Sequence, residues 1–260
     1  MRIQQSFCYP LFTSDDYELS HLFTKARAMG YLATEFWFRD DSHEEVIATA
    51  KASGLKIASV CGHTSLEKGL NDVSDHDRIE AEIIASIDYA VKHEIPSLIT
   101  FSGNRLEGQT DQEGLEACAA GLKRVCGYAQ KHNINLNMEL LNSKVNHAGY
   151  LCDHTAWGVA LCQAVNSPRV KLLYDIYHMQ IMEGDVIRTL QENLQWIGHF
   201  HTAGNPNRKD LDDQQELNYR GICNAIAATD YKGYLGHEFK PKADTLKALA
   251  KAFEICDQTD

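Results

Sequence analysis

Two apolar patterns alternate along the chain. Residues 3–7, 31–37, 55–60, 97–101, 134–141, 170–175, 196–201 and 234–239 are short, largely apolar runs. They leave no room for a helical period and read as buried strands. Between them apolar residues recur every three or four positions, as Leu19, Leu22, Phe23 and Ala26 do within 15–29, and Ile79, Ile83, Ile84, Ile87 and Val91 within 75–93. That spacing predicts amphipathic helices there and over 42–54, 111–132, 154–165, 184–194, 218–229 and 244–255. Gly30, Gly54 and Pro96 punctuate the pattern, and Ser42 with Glu45 three residues later looks like a capping box. Residues 65–73 read as loop.

This makes eight strand–helix alternations, with no Ser/Gly-rich linker and no low-complexity tract. Regular alternation predicts a parallel sheet. Eight units in 260 residues predict that the sheet closes into one (β/α)8 TIM barrel spanning 1–260. Neither G-x-G-x-x-G nor G-x-x-x-x-G-K-[ST] occurs, so dinucleotide-binding and P-loop readings lose their main support.

Charge narrows the partners. Lys and Arg total 25 against 36 Asp and Glu, a formal net charge of −11. This argues against a nucleic-acid backbone, which needs a basic face, and suits a small-molecule ligand. The eight cysteines form no C-x-x-C pair and read as reduced core thiols. The N-terminus turns polar too soon for a signal peptide, and no apolar run approaches the ~20 residues of a membrane span. The expectation is a cytoplasmic protein without a membrane partner.

Polar residues interrupt the apolar runs where the later strands end: Glu139, Asp175, His201 and Glu238. Strand ends of a barrel converge on one face. Singly, each has an ordinary reading, a carboxylate capping the next helix or a histidine satisfying a backbone group. Four on successive strands are hard to explain so. Three carboxylates and an imidazole form a hard, oxygen-rich set suited to one divalent metal ion, Mn²⁺ or Mg²⁺, with Zn²⁺ or Co²⁺ tolerated.

The segments Glu139-Leu-Leu-Asn, Tyr174-Asp-Ile-Tyr-His-Met-Gln180, His199-Phe-His-Thr-Ala-Gly-Asn-Pro-Asn-Arg208, Glu216-Leu-Asn-Tyr219 and Gly236-His-Glu-Phe-Lys-Pro241 carry a resemblance over nearly the whole chain. It resembles the xylose isomerase-like sugar isomerase/epimerase barrels, and most of all the hydroxypyruvate isomerase family. The resemblance implies that Glu139, Asp175, His201 and Glu238 hold one divalent ion. It implies that Glu139 and Glu238 move protons on opposite sides of the substrate, and that His178 and Arg208 contact substrate oxygens. It also suggests a homo-oligomer. One position departs: some hydroxypyruvate isomerases carry Gln where this chain has His201, while related ketose 3-epimerases carry His.

The implied reaction moves a carbonyl along a small hydroxy-oxo acid, hydroxypyruvate to tartronate semialdehyde being the named case. The alternative is epimerisation or isomerisation of a longer ketose or sugar acid on the same site. Either takes a proton from carbon beside a carbonyl, which needs a carboxylate base and a cation to stabilise the resulting charge. Arg208 could fork onto a substrate carboxylate. His63, Arg105, Lys144 and His147 follow strands and could read the far end of a substrate, or could be loop. Glu35 and Trp37 close the second strand, where the Trp could cover a sugar face or cap the core. His199 is expected on the opposite strand face from His201, with a structural role, as is His237. Two further classes weaken on the same observations. An endonuclease IV-like enzyme needs three metals and a polyanion, and an idle sensor would not need all four ligands.

Overall fold

Parallel strands form where the short apolar runs lie, and the fold follows from closing them. The protein, seen in a computed structural model describing residues 3–40 and 42–257, has β1 (Gln4–Phe7), β2 (Ala33–Thr34), β3 (Lys56–Ile57), β4 (Ser59–Cys61), β5 (Ser97–Thr100), β6 (Asn135–Glu139), β7 (Val170–Asp175), β8 (Ile197–Thr202) and β9 (Tyr234–His237). Seven pair in the order β1-β9-β8-β7-β6-β5-β4, all parallel, while β2 pairs with β3. Backbone bonds join the two sets. The N–H groups of Leu32 and Glu35 donate to the carbonyls of Gln5 and Phe7, at 3.1 and 2.8 Å, and that of Cys61 donates to Trp37 at 2.8 Å. Since β3 and β4 are two pieces of one barrel strand, eight strand positions close the ring, as expected.

The helices are α1 (Leu19–Met29), α2 (His43–Ala52), α3 (His76–His93), α4 (Asp111–His132), α5 (Thr155–Val165), α6 (Ile176–Met182), α7 (Val186–Asn193), α8 (Tyr219–Ala227) and α9 (Thr245–Cys256). Their apolar faces and the outward strand residues form one contiguous core, in which Leu136, Met138, Leu172, Tyr174, Phe200 and Leu235 are fully buried. Close approach has a local cause at Gly158 in α5, where a Cβ would stand 2.8 Å from Cδ2 of Leu172. All eight cysteines are free and seven are buried. No helix among the described residues is long and apolar enough to cross a membrane.

Three local expectations are corrected. The capping box at Ser42 does not form: Ser42 is helical in φ and ψ, and its hydroxyl donates to Asp40 at 2.6 Å. The box sits instead at Thr110, whose side chain accepts from Glu113 N–H while Glu113 accepts from Thr110 N–H. Thr110 has the extended backbone an N-cap requires, and Ser42 does not. The expected helix over 184–194 is preceded by another, α6, which starts as β7 ends. Gly184 and Asp185, at φ 67° and 45°, separate α6 from α7. His199 does not face away from His201. Residues two apart on a strand share a face, and both imidazoles point into the barrel.

Thr110→Ala removes a working cap from the longest helix and is expected to cost about 1 kcal/mol. Ser42→Ala should cost much less. Denaturant midpoints at unchanged slope measure both.

Candidate active site

Four side chains meet where β6, β7, β8 and β9 end. Glu139 and Asp175 are the last residues of β6 and β7, His201 lies near the end of β8, and Glu238 follows β9 directly. Asp175 and His201 are register partners, and Glu238 is tied to β8 through its N–H on the Thr202 carbonyl at 2.9 Å. All four are buried, and one donor atom from each lies within 4.8 Å of every other. Nδ1 of His201 stands 3.5 Å from Oε2 of Glu238 and 3.7 Å from Oε1 of Glu139.

Asp175 serves two purposes at once. Its Oδ1 accepts from the backbone N–H of His178 at 3.0 Å and so caps α6. Its Oδ2 is buried and has no hydrogen-bond partner, as is true of Nδ1 of His201. Burial raises the Asp175 carboxyl to about 7, with Arg208 only partly opposing, and burial likewise raises Glu139. Glu238 would also be raised by burial, but Arg208 and His201 hold it well below the usual carboxylate range. Unpartnered polar atoms in a dry site are costly, and clustered carboxylates repel one another. A hard divalent cation among them would relieve both, with ligand atoms of the kind such ions take. The residues present therefore fit a divalent ion.

The site opens into a cavity of about 450 Å³. Leu11, Phe38, Leu66, Phe101 and Leu141 supply apolar wall, and Trp37 donates its indole N–H to Oε1 of Glu238 at 2.7 Å. Arg208, Lys209 and Lys240 bring positive charge to the lining. Arg208 sits at φ 52° in the loop after β8, with its guanidinium 5.7 Å from the Tyr177 ring and ion-paired to Oε2 of Glu238. His178 is wholly buried, and burial holds its pKa well below the usual value, so the ring is neutral. Its Nδ1 accepts from the backbone N–H of Asn142 at 3.1 Å. The remaining proton is therefore on Nε2, which lies 3.8 Å from Oδ2 of Asp175, too far for a hydrogen bond, and has no partner.

Of the other residues singled out from sequence, most lie outside the cluster and its cavity. Nε2 of His63 accepts from the Phe101 N–H at 2.9 Å, burial lowers its pKa to about 4, and the ring lines a neighbouring cavity with Thr64 and Glu82 that shares Phe38 and Cys61 with the site cavity. Lys144 donates to the carbonyls of Ile181 and Met182 at the end of α6, at 3.0 and 2.9 Å. Arg105 pairs with Asp111. His147 does line the site cavity, its ring 5.2 Å from that of His178. His237 faces outward, bonded to Thr202 and Gln5. Sequence reasoning gave no role to Asn142, whose N–H sets the His178 tautomer, or to Lys209 and Lys240, which line the cavity. Asn142 and Lys240 stand inside the segments that carry the family resemblance, and that was their signal.

The family description "xylose isomerase-like TIM barrel" matches residues 23–256. The chain belongs to that family. It is 26% identical over 240 residues to the hydroxypyruvate isomerase of Escherichia coli (strain K12), covering 90% of this chain and 92% of that one. It is 33% identical over 121 residues to the 2-oxo-tetronate isomerase of Cupriavidus necator, covering 46% of each. A solved structure described as an AP endonuclease, family 2, from Brucella melitensis superposes with a TM-score of 0.83 at 23% identity, over 96% of this chain and 97% of that one. That likeness establishes the fold. The two sequence relatives place this xylose isomerase-like chain beside isomerases.

Asp175→Asn keeps a helix cap of equal quality but removes the charge. Mn²⁺ at about 100 times its Kd is expected to stabilise the unmodified protein by about 2.7 kcal/mol. In Asp175→Asn the stabilisation should largely vanish while the metal-free melting temperature hardly moves. Thermal unfolding with and without Mn²⁺ reads both.

Proposed function

We propose that this protein is a metal-dependent isomerase of small 2-oxo-3-hydroxy acids, moving a carbonyl to the neighbouring carbon through an enediolate: one proton passes from C3 to C2 while the hydroxyl proton passes from O3 to O2. The observation that carries the reading is the pair Glu139 and Glu238, buried on either side of His201 at the floor of one cavity. Two carboxylates that address one substrate from different strands can take a proton from carbon and return it to the neighbour.

Glu139, Asp175, His201 and Glu238 would hold the divalent ion, which when bound supplies a Lewis acid for negative charge on the substrate oxygens. The chain's own groups do the rest. Neutral His178 presents Nε2–H, a donor only, to an oxygen of the reacting pair. The apolar wall keeps water from the carbanionic carbon. Arg208, Lys209 and Lys240 meet an anionic end, and the planar fork of Arg208 matches a carboxylate. That cationic wall favours an oxo acid over a neutral sugar. Named relatives that isomerise hydroxypyruvate and 2-oxo-tetronate agree with this class. A cavity of about 450 Å³ exceeds what three carbons need, so a four-carbon oxo acid is the second reading.

Glu139→Gln and Glu238→Gln are each expected to leave a folded barrel and to lower kcat by at least about 100-fold, in line with the weight of general acid–base catalysis. Near-normal turnover in either removes that residue from proton transfer. Exhaustive chelation should abolish deuterium uptake from solvent into 2-oxo acids, and Mn²⁺ or Mg²⁺ should restore it. Undiminished exchange in stripped protein contradicts the scheme. Arg208→Gln should lower kcat/KM for 2-oxo acids by about 10–100-fold, the loss of a charge-assisted bond, and for neutral ketoses by much less. Equal losses on both would refute the oxo-acid assignment.

A further inference from the structure

Behind the four-residue cluster lies a second buried layer that the proposed chemistry leaves unused. Glu35, just past β2, is 2% exposed, yet its carboxylate accepts three bonds. Nε2 of His199 meets Oε1 at 3.1 Å, the Ser6 hydroxyl donates to the same oxygen, and Nε2 of His201 meets Oε2 at 3.2 Å. The barrel makes room for it. Gly236 is the register partner of both Ser6 and His201. A Cβ at Gly236 would stand 3.0 Å from Cδ2 of His201 and would collide with Oε1 of Glu35. Three strands and a glycine are thus arranged around one buried carboxylate.

The consequence is chemical. An ionised carboxylate only accepts hydrogen bonds, so His201 must present N–H at Nε2. A neutral imidazole protonated there carries its lone pair on Nδ1. That atom faces Glu139 and Glu238, with no hydrogen-bond partner. Without Glu35 the ring would be free to invert its tautomer or to rotate, and either change would turn the lone pair away from the cluster.

We infer that Glu35 is the positioning residue of the site: it holds His201 in the Nε2–H form, with Nδ1 aimed as a ligand between Glu139, Asp175 and Glu238. His199 and Ser6 in turn hold the carboxylate in place. The inference rests on the metal reading above and adds which nitrogen binds and what makes it bind. Cys8, Glu35 and His201 also lie close enough together to hold an ion themselves. Both oxygens of Glu35 are already occupied by donors, however, whereas the front cluster leaves acceptor atoms unpaired.

The test uses the full chain with ¹⁵N-labelled histidine, free and loaded with Zn²⁺, and Glu35→Gln as a near-isosteric variant. In the loaded unmodified protein, imidazole ¹⁵N shifts should show His201 bound through Nδ1 and protonated at Nε2. Binding through Nε2 overturns the inference whether or not any variant folds. Glu35→Gln should keep its circular dichroism and lose about 10–100-fold in Mn²⁺ affinity by calorimetric titration, the usual cost of removing such a partner. A folded variant with unchanged affinity also overturns it. Unmodified protein that binds no divalent ion would refute the metal reading itself, and the inference with it. Tight binding that survives in Glu35→Gln would refute the positioning role alone.

Discussion

Three carboxylates share one buried site at the mouth of this barrel, and most of what surrounds them answers that constraint. Glu139, Asp175 and Glu238 are all at most 6% exposed. Burying like charges together is unfavourable unless cations or donors reach them. The chain supplies a few: Arg208 and the Trp37 indole on Glu238, and the His178 backbone N–H on Asp175. It leaves Oδ2 of Asp175 with no partner. A divalent ion would complete the balance, and in the proposed function the same cluster supplies the two glutamates that move the proton.

The barrel explains how the four come together without a loop to position them. Each side chain is set by a strand end whose register is held by neighbouring strands, so the site inherits the rigidity of the sheet. Asp175 shows how economical the arrangement is. One oxygen caps α6 and thereby places His178, whose N–H accompanies the second oxygen into the site. Behind them Glu35, enclosed by Ser6, His199 and Gly236, extends the polar construction inward by one layer.

Much of this was legible in the sequence because strand ends in a barrel must converge. Polar residues at or near the ends of the later apolar runs located all four members of the cluster, and periodicity located every helix of the outer ring except α6. What escaped depended on backbone detail and on contacts distant in sequence. Ser42 has the residue type of a cap but not its dihedral angles. Residues 176–182, between the strand ending at Asp175 and the helix expected from Gly184, were given no element, and α6 fills that stretch. His199 was misplaced by a miscount of strand periodicity, not by any ambiguity in the chain. Lys144 and His63 follow strands, as site residues do. Backbone groups engage the Lys144 ammonium, through the carbonyls ending α6, and Nε2 of His63, through the N–H of Phe101, while Nδ1 of His63 is buried without a hydrogen-bond partner. Glu35 was visible only as a carboxylate in a strand, since its partners lie more than 160 residues away for the two histidines.

The central claim is that one divalent ion binds among Glu139, Asp175, His201 and Glu238. Anomalous X-ray diffraction from crystals grown with Mn²⁺ tests it most directly. The account predicts a single strong peak within bonding distance of those four side chains, with Nδ1 as the histidine ligand. A peak between Cys8 and Glu35 instead, or no peak at the strand ends under saturating Mn²⁺, would contradict it.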